Sequence, residues 1–171
     1  MVERSMERRR EPEPEENSYD RKIRLNEEAI RRKLQGKMVI KGEPWLQNRQ
    51  GLTKQYVNEG NWDEVAVPNW HIFIQRIVKH SGCHIHQGGL AIYVLEGKGY
   101  SVVDSVRYDW EEGDLIVLPI KAGGVEHQHF NEDPDKAVLW MAFRYEPMLD
   151  QVTVGFKQVV DHPDWMSPKK R

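Results

Sequence analysis

Residues 84–97 read HIHQGGLAIYVLEG, and residues 113–131 read GDLIVLPIKAGGVEHQHFN. Both stretches combine short apolar runs with glycine, aspartate or proline, a texture typical of short strands joined by turns. From Val67 onward the same texture predicts strands near Trp70–Lys79, His84–Leu95, Tyr100–Asp104, Arg107–Trp110, Asp114–Leu118, Val125–Phe130 and Ala137–Tyr145. Asp104-Ser105 predicts a tight hairpin turn. A set of about seven strands must close or stack, because an open sheet would leave one apolar face in water. The sequence therefore predicts an all-β domain.

Segments of different composition flank this domain. The first 36 residues contain 10 basic and 9 acidic side chains. Residues 1–17 have the composition of a disordered segment, and Asp20–Gln35 carries the imperfect apolar stripe of a helix. We expect three segments: a charged extension over 1–36, partly disordered and then helical, a barrel over 37–147 with its motif core over 70–145, and a C-terminal tail over 148–171. A helix of this kind often packs on a neighbouring subunit, so we expect a homodimer or larger assembly.

The composition excludes several classes of protein. The 171 residues fit one domain, and no stretch approaches the roughly 18 apolar residues of a membrane span. No apolar run follows the N-terminal charges, so we expect no secretory signal. Cys83 is the only cysteine, which excludes an internal disulfide and suits a reducing cytoplasm. A formal net charge of −2 leaves no basic excess to neutralise the phosphates of a nucleic acid.

Four of the seven histidines form two H-x-H pairs, His84 with His86 and His127 with His129. Side chains at positions i and i+2 of a strand point to the same face, so each pair presents two imidazoles side by side. If both faces turn inward, four imidazoles converge inside one small barrel. Neutral imidazole is a common ligand of zinc, copper, iron and nickel. The pairs therefore predict a site for one divalent transition metal per chain. We expect the other three histidines, His71, His80 and His162, to have structural roles.

The two stretches that carry the histidine pairs resemble the two cupin motifs, in order and in separation. The resemblance covers residues 70–145. It implies a cupin jelly-roll β-barrel with a metal inside, and it assigns His84, His86 and His127 as the ligands. The first motif usually carries a glutamate ligand at the position of Leu90, and leucine cannot bind a metal. The resemblance therefore implies a three-His site.

Cupins with three histidines and no glutamate resemble the gentisate and salicylate type of ring-cleaving dioxygenase. This resemblance implies iron(II) as the metal, dioxygen as a co-substrate and a small hydroxylated aromatic substrate. It implies that His129 assists proton transfer and that Gln75 lies in the substrate pocket. Leu90 and Ile92 share the inward parity of the histidines and are expected to form an apolar floor. Gentisate-type enzymes have an arginine at the position of Ile92, which argues against gentisate itself.

Two further functions stay open at this point. The same barrel can carry zinc, nickel or manganese as a Lewis acid in a lyase, an isomerase or a decarboxylase. A cupin barrel can also be a non-catalytic module that binds a small ligand. An apparently intact set of metal ligands, without a second domain, favours an enzyme.

Overall fold

The structure, a computed structural model, describes residues 16–147 and 155–166. In these residues one helix, α1 (Ser18–Gln35), precedes eleven strands. The strands are β1 (Leu46–Asn48), β2 (Gly51–Val57), β3 (Trp70–Ile77), β4 (Cys83–His86), β5 (Leu90–Glu96), β6 (Lys98–Val103), β7 (Val106–Glu111), β8 (Leu115–Leu118), β9 (Val125–Asn131), β10 (Val138–Tyr145) and β11 (Lys157–Val160). Six strands form one sheet in the order β1-β2-β3-β10-β5-β8, and five form the other in the order β11-β4-β9-β6-β7. This is the all-β jelly roll predicted from the sequence. Among the described residues no helix has the length and apolar character needed to cross a membrane.

The predicted strand His84–Leu95 is wrong, because the chain breaks there and changes sheet. β4 ends at His86 in the five-stranded sheet, and β5 begins at Leu90 in the six-stranded sheet. Two glycines make this crossing possible. A Cβ atom on Gly88 would lie 1.7 Å from the carbonyl oxygen of Pro119, and Gly89 has a φ of +73°. Neither position tolerates a side chain without strain. The other predicted strands are present within a few residues, while β1, β2 and β11 were not predicted.

The core lies between the two sheets and is built by alternation along the strands. The strictly alternating burial of β5 places Leu90, Ile92 and Val94 inside, with Ile92 and Val94 fully buried. β10 contributes Trp140 and Ala142 in the same way. The predicted hairpin is also present: Asp104 and Ser105 both have positive φ, +48° and +70°, as a two-residue turn between β6 and β7 requires.

The helix α1 lies outside this core. It begins at Asn17, whose side chain accepts hydrogen bonds from the backbone N–H groups of Tyr19 and Asp20 at 3.0 and 2.9 Å. None of its residues is buried, and its apolar stripe, which includes Leu34, is exposed. The contact of this helix with a neighbouring subunit therefore stays a prediction. Most of the segment predicted to be disordered, residues 1–15, lies outside the described residues.

Candidate metal centre

Three histidines meet inside the barrel because their two strands are neighbours. β4 and β9 pair antiparallel, with His84 directly opposite His127. His86 lies two residues along β4 on the same face, so its ring centroid is 4.7 Å from that of His127 and 5.2 Å from that of His84. One nitrogen from each ring lies within 4.8 Å of the others. All three side chains are buried. The structure thus brings together the three residues that the sequence predicted as ligands.

The hydrogen bonds of these rings leave nitrogen lone pairs without a partner. His86 Nδ1–H donates to the carbonyl oxygen of Gln87, and His127 Nδ1–H donates to that of Val125 at 3.1 Å. These bonds place the lone pair of each ring on Nε2. His127 Nε2 and His84 Nδ1 are buried with no hydrogen-bond partner among the described residues. A buried polar atom left unpaired costs about 1–3 kcal/mol, and a bound cation would remove that cost. The residues present therefore fit a divalent transition metal.

The protein also keeps these imidazoles neutral. Burial lowers the pKa of His84 well below its usual value, and the neighbouring His127 and His86 lower it further. Burial lowers the pKa of His86 to about 3, with contributions from His127 and Arg144. Burial lowers the pKa of His127 to about 4. A metal competes with protons for imidazole nitrogen, so neutral rings at pH 7 are ready to bind one.

The fourth histidine of the two pairs, His129, has a different set of contacts. Its ring lies 5.5 Å from that of His127, and its Nδ1 lies 2.7 Å from Ser101 Oγ. Trp110 Nε1–H donates to the same Ser101 oxygen at 2.9 Å. Tryptophan can only donate, so Ser101 Oγ accepts from Trp110, and its own hydroxyl proton can point to His129 Nδ1. In that arrangement His129 carries its own proton on Nε2, and its predicted assistance in proton transfer stays a prediction.

The histidines open on a cavity of about 50 Å³. Its lining comprises the four histidines of the two pairs together with Gln50, His71, Phe73, Leu90, Trp140, Arg144 and Phe156. Among the described residues of this lining, Arg144 is the only charged one, and none carries a carboxylate. Trp140 Nε1–H is buried and has no hydrogen-bond partner among the described residues. The cavity therefore offers hydrogen-bond donors and positive charge to a ligand.

Arg144 is held at the cavity by two neighbours. Its cross-strand partners are His71 on β3 and Leu90 on β5, so all three side chains share the inward face. Arg144 Nε donates to Glu146 Oε1 at 2.8 Å, and Nη2 donates to His71 Nδ1 at 3.0 Å. Nη1 makes no hydrogen bond with the described residues. Burial raises the pKa of Glu146, but His71 and Arg144 outweigh burial and hold that pKa below its usual value.

A second group of possible ligands, Glu59, His71 and Glu146, lies at the same mouth. Both nitrogens of His71 are already used, because Nδ1 accepts from Arg144 and Nε2 lies 2.8 Å from Gln55 Oε1. The Arg144 guanidinium also provides the positive charge that Glu146 needs. Glu146 and Arg144 thus form an ion pair supported by His71, and this histidine has no free lone pair to offer a metal.

Of the three predicted substrate-binding residues, the structure places one in the cavity lining and two elsewhere. Leu90 lines the cavity, as expected. Ile92 is fully buried in the core and does not line it. Gln75 does not line it either, because its side chain donates to the carbonyl oxygen of Gln50 at 2.6 Å and is buried. The placement of Ile92 and Gln75 therefore favours structural roles, and their contact with substrate stays a prediction.

Several residues of the cavity lining were not predicted from the sequence, among them Arg144 and Phe156. Arg144 follows Trp140 and Ala142 at the inward parity of β10, so an arginine at an inward position was a usable signal. Phe156 lies in the predicted tail, just before β11, and nothing in its local sequence indicates that it reaches the histidines.

Comparison with known proteins agrees with this architecture. Residues 74–143 match the Cupin domain family. Acireductone dioxygenase of Phaeosphaeria nodorum is 30% identical over 95 residues, which are 51% of this chain and 53% of that protein. The chain therefore spans about half the length of this curated relative. A Cupin 2 conserved barrel domain protein from Salinispora arenicola superposes with a TM-score of 0.52 at 18% identity, over 68% of this chain and 97% of that chain. A salicylate 1,2-dioxygenase variant from Pseudoaminobacter salicylatoxidans matches with a TM-score of 0.49 at 19% identity, over 62% of this chain and 29% of that chain.

Proposed function

Because the barrel of this chain is a cupin domain with a buried three-His group, we propose that it is an iron(II)-dependent dioxygenase of a small, chelating, hydroxylated substrate. The observation that carries the proposal is the cluster of His84, His86 and His127. Their rings are neutral, their ligand atoms lie within 4.8 Å of one another, and two buried nitrogens lack a hydrogen-bond partner in the part of the chain that the structure describes. When bound, iron(II) would supply the one-electron chemistry that allows dioxygen to react with an organic molecule.

The charge of the site favours an anionic substrate. Three imidazoles bring no negative charge to a divalent cation, and the described part of the cavity lining contains no carboxylate. Arg144 adds a positive charge at the mouth, and its Nη1 is available for an oxygen of the substrate. The guanidinium is pre-oriented because Glu146 and His71 hold its other two nitrogens. A substrate with a carboxylate or an ionised hydroxyl would therefore be attracted by both charges.

Hydrogen-bond donors can orient such a substrate. His129 holds its proton on Nε2 as long as Ser101 donates to Nδ1. This N–H can donate to a substrate oxygen and stabilise negative charge that develops there. Trp140 Nε1–H is a second buried donor, and no described residue accepts its hydrogen bond. The histidine is the candidate catalytic residue, while Ser101 acts through it as a positioning residue.

The proposed substrate class has two adjacent oxygen atoms, one of them ionised. The hydroxylated aromatic implied by the resemblance belongs to this class when it carries an ortho carboxylate or a second hydroxyl. A reductone, which carries an enediol beside a carbonyl, belongs to it as well, and the curated relative is named for an acireductone. Both kinds of molecule can chelate a metal and present oxygen atoms to Arg144.

Anaerobic reconstitution followed by oxygen uptake tests the proposal. The protein is loaded with iron(II), its iron content is measured, and an oxygen electrode follows a panel of hydroxy acids, enediols and hydroxybenzoates. We expect about one iron per chain and substrate-dependent uptake. His127→Ala should lose both, and the matched variant His162→Ala, changed at a histidine outside the cavity lining, should keep both. Iron retention by His127→Ala would contradict the ligand assignment. Substrate loss without oxygen uptake would replace the dioxygenase with a lyase or an isomerase.

A further inference from the structure

Phe156 covers the candidate metal centre from outside the barrel. Its ring lies 5.1 Å from the ring of His84 and 5.5 Å from that of His86, and it is tilted by only 20° and 19° from them. The phenyl group therefore stacks on two of the three proposed ligands and lines their cavity. Its outer side faces solvent, with 52% of the residue exposed. Phe156 is thus a wall between the histidines and water.

With Phe156 in place the cavity is too small for an aromatic ring. Its volume is about 50 Å³. For comparison, a cavity of roughly 150 Å³ in another protein accepts benzene. The space beside the histidines can therefore hold a few small atoms, and a six-membered ring would need the volume that the phenyl group occupies.

The backbone around Phe156 is fixed independently of its side chain. β11 pairs with β4, placing Lys157 opposite Ile85 and Gln158 opposite His84. Further along, His162 N–H donates to the carbonyl oxygen of Arg49 at 2.8 Å. The phenyl ring contributes no hydrogen bond to these contacts. Shortening it therefore opens the cavity without releasing the strand.

We propose that Phe156 is a specificity-determining residue that excludes aromatic rings and restricts the site to small non-aromatic anionic chelators. The inference rests on the proposed function, because it concerns the substrate of the same metal centre. It selects between the two kinds of molecule in the proposed class and favours an acyclic hydroxy acid or enediol over a hydroxybenzoate.

Binding of matched chelators to the cobalt(II)-loaded protein tests this inference. Glycolate and salicylate each carry one hydroxyl and one carboxylate, but only salicylate carries a ring. Changes in the visible absorption of cobalt(II) report their binding without turnover. We expect Phe156→Ala to strengthen salicylate binding by about tenfold or more while glycolate changes by less than about twofold. Tyr108→Ala, which removes another exposed ring away from the cavity, should change neither. Equal salicylate affinity in the wild type and Phe156→Ala would overturn the proposal.

A second measurement uses the metal-free protein, so it separates this inference from the proposed function. Diethyl pyrocarbonate modifies accessible neutral imidazoles, and peptide mass spectrometry gives the rate at each histidine. We expect Phe156→Ala to raise the rates at His84 and His86 by about tenfold while His80 stays unchanged. Unchanged rates at both ligands would show that Phe156 does not cover them, even if cobalt binds. If the wild type does not bind cobalt but the modification rates change as expected, the metal-dependent function would be refuted while the covering role of Phe156 would stand.

Discussion

Replacing His84 by leucine should change the stability of this protein in opposite directions with and without metal. The ring of His84 makes no hydrogen bond with the described residues, and its buried Nδ1 has no partner. In the metal-free protein, leucine removes an unpaired polar atom that costs about 1–3 kcal/mol. The change of shape costs less than about 1.5 kcal/mol. The metal-free variant should therefore be about 1 kcal/mol more stable than the wild type.

Metal reverses the order of the two proteins. At a free metal concentration of about 100 times Kd, the wild type gains about 2.7 kcal/mol because only the folded state binds. The variant has lost one of three ligands and should gain little. It should then be about 1–2 kcal/mol less stable than the metal-loaded wild type.

Urea unfolding followed by tryptophan fluorescence measures both differences, once with a chelator and once with cobalt(II). His162→Leu is the matched control, because the ring of His162 accepts a hydrogen bond from the backbone N–H of Asp164 at 3.1 Å. Losing that bond should destabilise the control by about 0.5–1.5 kcal/mol in both conditions. The reasoning would be refuted if metal-free His84→Leu lost more than about 1 kcal/mol, or if it kept the full gain from cobalt.

Three more predictions follow from the same contacts. The metal-free protein should lose stability as the pH falls from about 6.5 to 4. In this range the unfolded chain binds protons at His86 and His127, whereas the folded chain does not, because folding lowers the pKa of both residues. A urea midpoint that does not change over that range would contradict this prediction. Ser101→Ala should lower the free energy of unfolding by about 2–3 kcal/mol, because Trp110 and His129 lose their shared hydrogen-bond partner. The pH dependence of turnover should also shift, whereas a purely structural role of Ser101 would leave it unchanged. Arg144→Gln should weaken glycolate binding to the cobalt form by about tenfold and leave the cobalt content unchanged. A matching loss of cobalt from the variant would show that Arg144 has a structural role.

The H-x-H pairs made the three-His cluster predictable. Side chains two residues apart on one strand lie on the same face, and the pairing of β4 with β9 places His84 directly opposite His127. The parity of Leu90 with His86 also holds, although it was derived from a continuous strand. His86 and Leu90, four residues apart, both face inward because the Gly88-Gly89 loop carries the chain to the other sheet in an orientation that keeps Leu90 inside. The strand boundaries around the loop could not be predicted from alternation alone.

The residues around the metal centre depend on contacts between distant parts of the chain. Phe156 reaches His84 only because β11 adds to the edge of β4, and an edge pairing of this kind leaves no local pattern. Ile92 was predicted to face the cavity from its parity, which is right, but parity does not say how deep a residue lies. Ile92 lies one inward step beyond Leu90, which is enough to move it from the cavity into the core.

The two sheets contribute different parts of this cavity. All three proposed ligands come from β4 and β9 in the five-stranded sheet, while Phe73, Leu90, Trp140 and Arg144 come from β3, β5 and β10 in the six-stranded sheet. A library of variants confined to those three strands would therefore alter the shape and charge of the cavity while the three histidines stay in place. Natural sequence drift has the same freedom, so substitutions on these strands can reshape the cavity and leave the proposed ligands unchanged.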